Sequence, residues 1–267
     1  MRAVKSDEPA QDAWEPAQYE RFKQERTRPF YDLLALVEPA PSGRAVDLGC
    51  GTGELTKVLH ETKQLGSTVG VDASEAMLEK AAAFAGSGLS FERGSFLDFA
   101  PREPFDLVFS NAALQWAPEH EHLFDRLSRA LKPGGQLAVQ IPANHDHLSH
   151  RTADAIAAEE PFASAMRGHV RLWPVQPPEW YAHLLFRLGY EQIHVRLQMY
   201  PHELPTREEV VEWVKGTYLT EYRGKLSAEL YALYLERYCE RLLALLPDER
   251  PFLYCYKRIL MHARKRA

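Results

Sequence analysis

This chain has little of several things. Three cysteines, Cys50, Cys239 and Cys255, occur among 267 residues. They form neither a paired framework nor a metal-ligand spacing, which excludes a disulfide scaffold and points to a reducing compartment. No apolar run approaches the roughly 20 residues of a membrane-spanning helix. Met1 to Asp12 is polar, reads as disordered, and holds no apolar signal core. Cationic excess is missing as well: the net charge is −5, whereas general nucleic-acid affinity needs surplus lysine and arginine. Arg264-Lys265-Arg266 reads as a solvated tail. These absences predict a cytoplasmic protein with no nucleic-acid partner and no membrane partner; the oligomeric state is not legible.

What is present is an ordinary globular balance, 45% apolar and 26% charged, in a chain long enough for one large domain or a domain with a cap. Its organising stretch is Ala45-Val46-Asp47-Leu48-Gly49-Cys50-Gly51-Thr52-Gly53-Glu54. This is a short apolar strand entering a glycine-rich turn, with a helix opening behind it. Alternate glycines let the backbone turn sharply and leave room for a ligand. An acid, Asp72, ends the next apolar strand, where a ribose hydroxyl pair is usually held. The dinucleotide fingerprint Gly-x-Gly-x-x-Gly/Ala is not met, because Glu54 stands at its last small position. Asp47 just before the turn fits the pattern of S-adenosylmethionine methyltransferases instead.

From Arg44 to about Pro142 the chain alternates strand and helix. The pattern predicts strands near 44–49, 67–72, 89–93, 105–110 and 135–141, and helices near 53–63, 74–84 and 119–130, with Ser74 as an N-cap. Short connections between them imply an α/β fold with a doubly wound, mostly parallel sheet. Ahead of it, Trp14 to Val37 reads as a helix. Behind it come a helical stretch to about Arg167 and a helix over 178–188. A strand follows over 191–200, then a helix over 206–216 capped by Thr206, and a long helix over 226–246. The last strand, 252–261, is expected antiparallel at the end of the sheet. The domain expectation is a disordered 1–12, a lid helix in 13–40, a core of 41–204 and 248–267, and a helical substrate cap in 205–247.

Several segments carry a family resemblance: Trp14-Glu15-Pro16 with Tyr19, Phe22, Arg26, Arg28 and Pro29; Asp47-Leu48-Gly49-Cys50-Gly51; Asn111-Ala112-Ala113-Leu114-Gln115-Trp116; Val139-Gln140-Ile141-Pro142 with Asn144 and His150; Tyr200 with His202; and Glu212-Trp213-Val214-Lys215-Gly216-Thr217. The chain resembles the bacterial trans-aconitate 2-methyltransferases, class I Rossmann-like enzymes that esterify a carboxylate of a small tricarboxylic acid. The resemblance implies a seven-stranded Rossmann-like sheet with a helical cap and S-adenosyl-L-methionine as methyl donor, released as S-adenosyl-L-homocysteine. It implies a cofactor site of Asp47, Gly49, Cys50, Gly51, Gly53, Asp72, Ala73, Met77, Ser95, Phe96, Asn111 and Leu114. It implies an acid site of Tyr19, Phe22, Arg26, Trp116, His150, Tyr200, His202, Trp213 and Arg258. The chain departs from the family at Tyr218, Thr220 and Glu221, where glycine, arginine and proline are usual, so a cation is lost and an anion gained. Ser95 also replaces an acid at the adenine edge.

A carboxylate is already ionised at neutral pH, so no general base is needed and no catalytic residue is expected beyond alignment. Asp47 reads equally as a contact to the methionine ammonium and as an anchor of the glycine loop. His145-x-His147-x-x-His150 invites a metal reading, but no further ligand set accompanies it, and no metal is expected. Two alternatives stay open: a methyltransferase for another metabolite (a natural-product acid or hydroxyl, or a carrier-bound malonyl group), and a module that senses S-adenosylmethionine without chemistry.

Overall fold

The computed structural model describes residues 23–169, 171 and 173–267, with the side chains of 23–26 outside that description. Its helices and strands are α1 (Lys23–Leu34), β1 (Arg44–Leu48), α2 (Glu54–Thr62), β2 (Ser67–Asp72), α3 (Glu75–Ala81), β3 (Leu89–Arg93), β4 (Phe105–Asn111), α4 (His120–Arg129) and β5 (Leu131–Pro142). They continue with α5 (Leu148–Ala157), α6 (Phe162–Ala165), α7 (Pro178–Arg187), β6 (Tyr190–Leu204), α8 (Glu209–Lys215), α9 (Thr220–Lys225), α10 (Ala228–Leu245) and β7 (Phe252–Lys265). The seven strands form one sheet in the order β3-β2-β1-β4-β5-β7-β6. Strands β1 to β5 pair in parallel, and β7 runs antiparallel to β5, from Gln136↔Arg264 to Pro142↔Arg258.

Alternation along each strand sends successive side chains to opposite faces, and both faces are apolar. Val46, Leu48, Val108, Leu137, Val139 and Ile141 pack with α4 and α7 through Leu123, Phe124, Leu127, Leu184 and Leu185. Ala45, Leu107, Phe109, Ala138 and Leu260 pack on the other face with α1 and α2, through Phe30, Leu33, Leu34 and Leu59. A sheet covered on both faces is the doubly wound arrangement expected. The order reverses between β1 and β4, which opens a crevice at the carboxyl ends of those strands.

Four expectations need correction. Arg264 and Lys265 are not a solvated tail but end β7, Arg264 Nη1 donating to the Gly134 carbonyl and Lys265 Nζ to the Ser128 carbonyl, each at 2.8 Å. The closing strand lies between β5 and β6, not at the end of the sheet. Its residues 258–263 are buried without a break, as an interior strand requires, whereas β6 exposes Leu197 and Met199 and forms the edge. Thr206 does not cap the following helix: α8 starts at Glu209, behind Glu208, with no side-chain cap. The helical stretch to Arg167 is split into α5 and α6 around Pro161, which has no N–H to continue the ladder. Ser74 does cap α3, accepting from the Met77 amide at 3.4 Å.

The chain divides into two compact units. The sheet unit holds 24–144, 172–202 and 255–267. The helical unit includes 145–171 and 203–254, so it takes in α5 and α6, which the sequence reading placed in the core. Inside it α10, capped by Ser227, binds α5 through tyrosines: Tyr238 donates to the Ser149 carbonyl and Tyr234 to the Ala153 carbonyl, each at 2.9 Å. Among the described residues, no helix is long and apolar enough to cross a membrane.

Candidate active site

The glycine turn after β1 is held from below. The Gly49 and Cys50 amides both donate to the Val71 carbonyl, at 2.8 and 3.1 Å, and Ser110 Oγ donates to the Leu48 carbonyl. All three turn glycines have positive φ, but they serve different ends. A Cβ on Gly49 would stand 2.2 Å from Ala113 Cβ, and one on Gly53 would meet Phe91 and Ala81. A Cβ on Gly51 would meet nothing within 4 Å. Two glycines therefore let the turn pack, and Gly51 alone leaves its side open to a ligand.

Two acids flank this opening. Asp72 accepts from the Gly51 amide at 2.8 Å and from the Ser74 amide at 2.9 Å, so one carboxylate sets the turn and starts α3. Asp47 is buried and accepts from Thr56 Oγ1 at 2.6 Å. Burial pushes its pKa up to about 7; the Thr56 hydroxyl opposes this and the nearby charge of Asp72 adds to it. Burial and the same two acids push the Cys50 thiol far up, so it is a packing group and not a nucleophile.

Past β4 the chain makes a tight turn with Ala112 at φ +57°, a left-handed conformation held only where the surroundings demand it. The Ala112 amide donates to the Gln140 carbonyl and Gln115 Nε2 donates to the Ala112 carbonyl. Beside this turn Asn111 Oδ1 is buried without a hydrogen-bond partner. Ser95 Oγ accepts from the Leu97 amide, and Phe96 packs half-buried against the core. Ala73 and Met77 sit on the β2–α3 connection and the first turn of α3. Leu114 is wholly inside the core, so its side chain shapes the crevice wall from behind. An open glycine side, two acids and an orphaned amide oxygen suit a ligand with an ammonium group, a ribose and a cationic centre.

A second group of polar side chains lies on the α1 face of the same unit. Tyr200, on β6, donates to Asp32 Oδ2 on α1 at 2.8 Å, and the Arg28 guanidinium stands 6.0 Å from the Tyr200 ring. Arg258, on β7, is 5% exposed and donates to Gln140 Oε1 on β5 at 3.3 Å. Burial lowers the His202 pKa to about 4, helped by the charges of Arg258 and Arg28, so this ring is neutral at neutral pH. Arg196 and Arg258 also act on the Tyr200 hydroxyl. Of the expected acid-site residues, Tyr200, His202 and Arg258 thus come together. Trp116 stands exposed after β4. Tyr19 and Phe22 lie outside the described residues, as does the side chain of Arg26.

His150 and Trp213 belong to the helical unit. His150 is buried with its ring 4.4 Å from that of Tyr218, and Trp213 is buried edge-on to Tyr254. Tyr218 and Tyr222 both donate to Asp154 Oδ1. Glu221 is met by His169 Nε2 at 2.6 Å and by Arg171 Nη1 at 3.1 Å. The Arg171 guanidinium also lies 3.7 Å from the Tyr218 ring centre and donates to the Tyr218 carbonyl. The acid gained at Glu221 is therefore paired inside its own unit, with Arg171 and His169 about 50 positions away, which the sequence did not single out. His147, from the histidine cluster, accepts from the Ser149 amide at the start of α5.

A methyltransferase-domain family model matches residues 40–182. A trans-aconitate 2-methyltransferase of Deinococcus radiodurans is 43% identical over 94% of this chain and 97% of its own length. Those of Sinorhizobium fredii and Variovorax paradoxus are 42% and 38% identical, covering 86% and 95% of this chain and 89% and 99% of theirs. Among solved structures, the YcgJ protein of Bacillus subtilis superposes with a TM-score of 0.60 at 18% identity, over 90% of this chain and 99% of that one. A Haemonchus contortus phosphoethanolamine N-methyltransferase, solved with S-adenosylhomocysteine, gives 0.55 at 19% identity over 90% of this chain and 53% of that one.

Proposed function

The chain belongs to the trans-aconitate 2-methyltransferase family, and we propose that it esterifies one carboxylate of a small polycarboxylic acid in the cytoplasm, with trans-aconitate the leading acceptor. The carrying observation is the cationic group on the α1 face: buried Arg258 held on Gln140 Oε1 at 3.3 Å, and Arg28 with its guanidinium 6.0 Å from the ring of buried Tyr200. Forked cationic donors are what carboxylate recognition calls for.

S-adenosylmethionine supplies, when bound, a methyl group on a sulfonium sulfur that keeps the bonding electron pair as the methyl leaves. The chain's residues bind and align. Asp47 would receive the methionine ammonium, the open side of Gly51 would admit the ligand, and Asp72 would accept from the ribose hydroxyls. Ser95 and Phe96 would meet the adenine edge and face, and Asn111 Oδ1, buried without a partner, would serve the cationic centre. The acceptor oxygen is already an anion, so no side chain has to remove a proton. Orientation of that oxygen is the chemical task, and such alignment contributes up to about 7–11 kcal/mol.

An acceptor panel tests the proposal: trans-aconitate, dicarboxylates, monocarboxylates and alcohols, each followed by S-adenosylhomocysteine release. Turnover should rise with the number of carboxylates and vanish for alcohols. Turnover confined to hydroxyl acceptors would overturn it, and binding of S-adenosylmethionine without turnover across the panel would favour a sensor.

A further inference from the structure

Gln140 lies near the carboxyl end of the apolar strand β5, wholly buried, and the arrangement of its amide is fixed by what it touches. Arg258 Nη1 faces it at 3.3 Å. A guanidinium can only donate, so the facing atom is the carbonyl oxygen Oε1 and the amide Nε2 points elsewhere. There Nε2 is buried and has no hydrogen-bond partner. Its register neighbour on β4 is Asn111, whose Oδ1 is likewise buried without a partner. Side chains of register partners leave the sheet on the same face, yet these two amides do not bond to each other. Buried polar groups are almost always satisfied, and one that is not calls for an explanation.

The alternation of the strands shows where the amides point. Asn111 follows Leu107 and Phe109 at two-residue intervals, Gln140 follows Ala138, and Arg258 precedes Leu260; these apolar residues all pack on the α1 face. Asn111, Gln140 and Arg258 therefore form a polar row across β4, β5 and β7, at the carboxyl ends of β4 and β5. The row continues into Tyr200 and His202 of β6, on which Arg258 acts.

We propose that Gln140 binds the acceptor acid directly. Its Nε2 donates to a carboxylate oxygen of the substrate, while its Oε1 holds Arg258 so that the guanidinium serves the same or the neighbouring carboxylate. Gln140 thereby joins the cationic group on the α1 face to the methyl-transfer position beside Asn111. This inference rests on the acid-esterifying reading above.

Three variants separate binding from structure. Gln140→Leu removes donor and acceptor, Gln140→Glu keeps an acceptor for Arg258 but puts an anion where the donor was, and Gln140→His restores a donor. The assays are steady-state kinetics on trans-aconitate, calorimetry of trans-aconitate binding to the complex with S-adenosylhomocysteine, S-adenosylmethionine affinity, and melting temperature. Gln140→Leu should raise the KM and Kd for the acid about ten- to hundredfold, the range of one hydrogen bond to a charged partner, with S-adenosylmethionine affinity within about twofold. Gln140→Glu should be worse for the acid, though its pair with Arg258 keeps the fold at least as stable, and Gln140→His should recover part of the loss. A purely structural Gln140 predicts the opposite order, with Gln140→Glu near wild type, and that result overturns the inference. If the wild-type protein turns over trans-aconitate and Gln140→Leu matches it, the inference alone fails. If the wild type neither binds nor methylates the acid, the functional reading fails and the inference with it.

Discussion

Asp47→Asn should make the ligand-free protein more stable and a worse binder of S-adenosylmethionine. Burial holds the Asp47 carboxyl at about 7, against 3.8 for an ordinary aspartate. The folded-state value is raised, so the linked stability is fully present below about pH 4 and lost as the pH climbs to about 7. Above that the penalty is constant. Three units at about 1.4 kcal/mol each put it near 4 kcal/mol. Asparagine keeps an oxygen for Thr56 Oγ1 and carries no charge to bury, so the variant should gain up to about 4 kcal/mol at pH 8 and little at pH 4. Binding runs the other way. An ammonium beside Asp47 favours its ionised form, so wild-type affinity should fall as the pH drops below 7, with up to one proton released on binding. Urea unfolding of both proteins at pH 5 and 8, with calorimetry in buffers of different ionisation enthalpy, reads every part of this. Equal stability at pH 8 with unchanged affinity would refute the buried-acid argument.

Other outcomes follow from the same geometry. Asp72→Ala should lower S-adenosylmethionine affinity by about tenfold or more, since hydrogen bonds to a charged group are worth about 1.5–3 kcal/mol; unchanged affinity in equilibrium dialysis would remove Asp72 from the ribose. Gly49→Ala should fail to fold or melt far lower, because its Cβ would overlap Ala113. Gly51→Ala should fold, at a cost of about 1–2 kcal/mol for its left-handed backbone, and lose cofactor affinity, so the two alanines should differ sharply in thermal denaturation. Glu221→Gln should lower stability by about 1 kcal/mol, by weakening a partly exposed pair with Arg171, and leave the acid's KM nearly unchanged. A many-fold drop in that KM would show that Glu221 does repel the substrate.

The sheet was legible because its cues are local. Alternation over 44–49, 67–72 and 105–110, with short connections, leaves few topologies, and Ser74 announced the start of α3 by residue type. What escaped the sequence depends on distant partners. The place of β7 inside the sheet follows from its unbroken burial, which an apolar run like Ile259-Leu260-Met261 shares with edge and helical segments. Thr206 satisfied a capping pattern, but the chain enters α8 three residues later.

At the site, the glycines and Asp72 could be read from spacing, and their division of labour could not. Only the position of Ala113 shows that Gly49 serves packing and Gly51 serves a ligand. Glu221 looked like an added repulsive charge because Arg171 and His169 lie about 50 residues away. Gln140 did leave a trace: one amide among Leu137, Ala138, Val139 and Ile141 is a polar group that must have a use.

The measurement that bears most directly on the central claim uses S-adenosylmethionine labelled in its methyl group with trans-aconitate, the products being separated by mass spectrometry. The account predicts one labelled methyl per acid, carried as a monoester that alkali hydrolyses. Absence of labelled ester, from protein shown to bind the methyl donor, would contradict it.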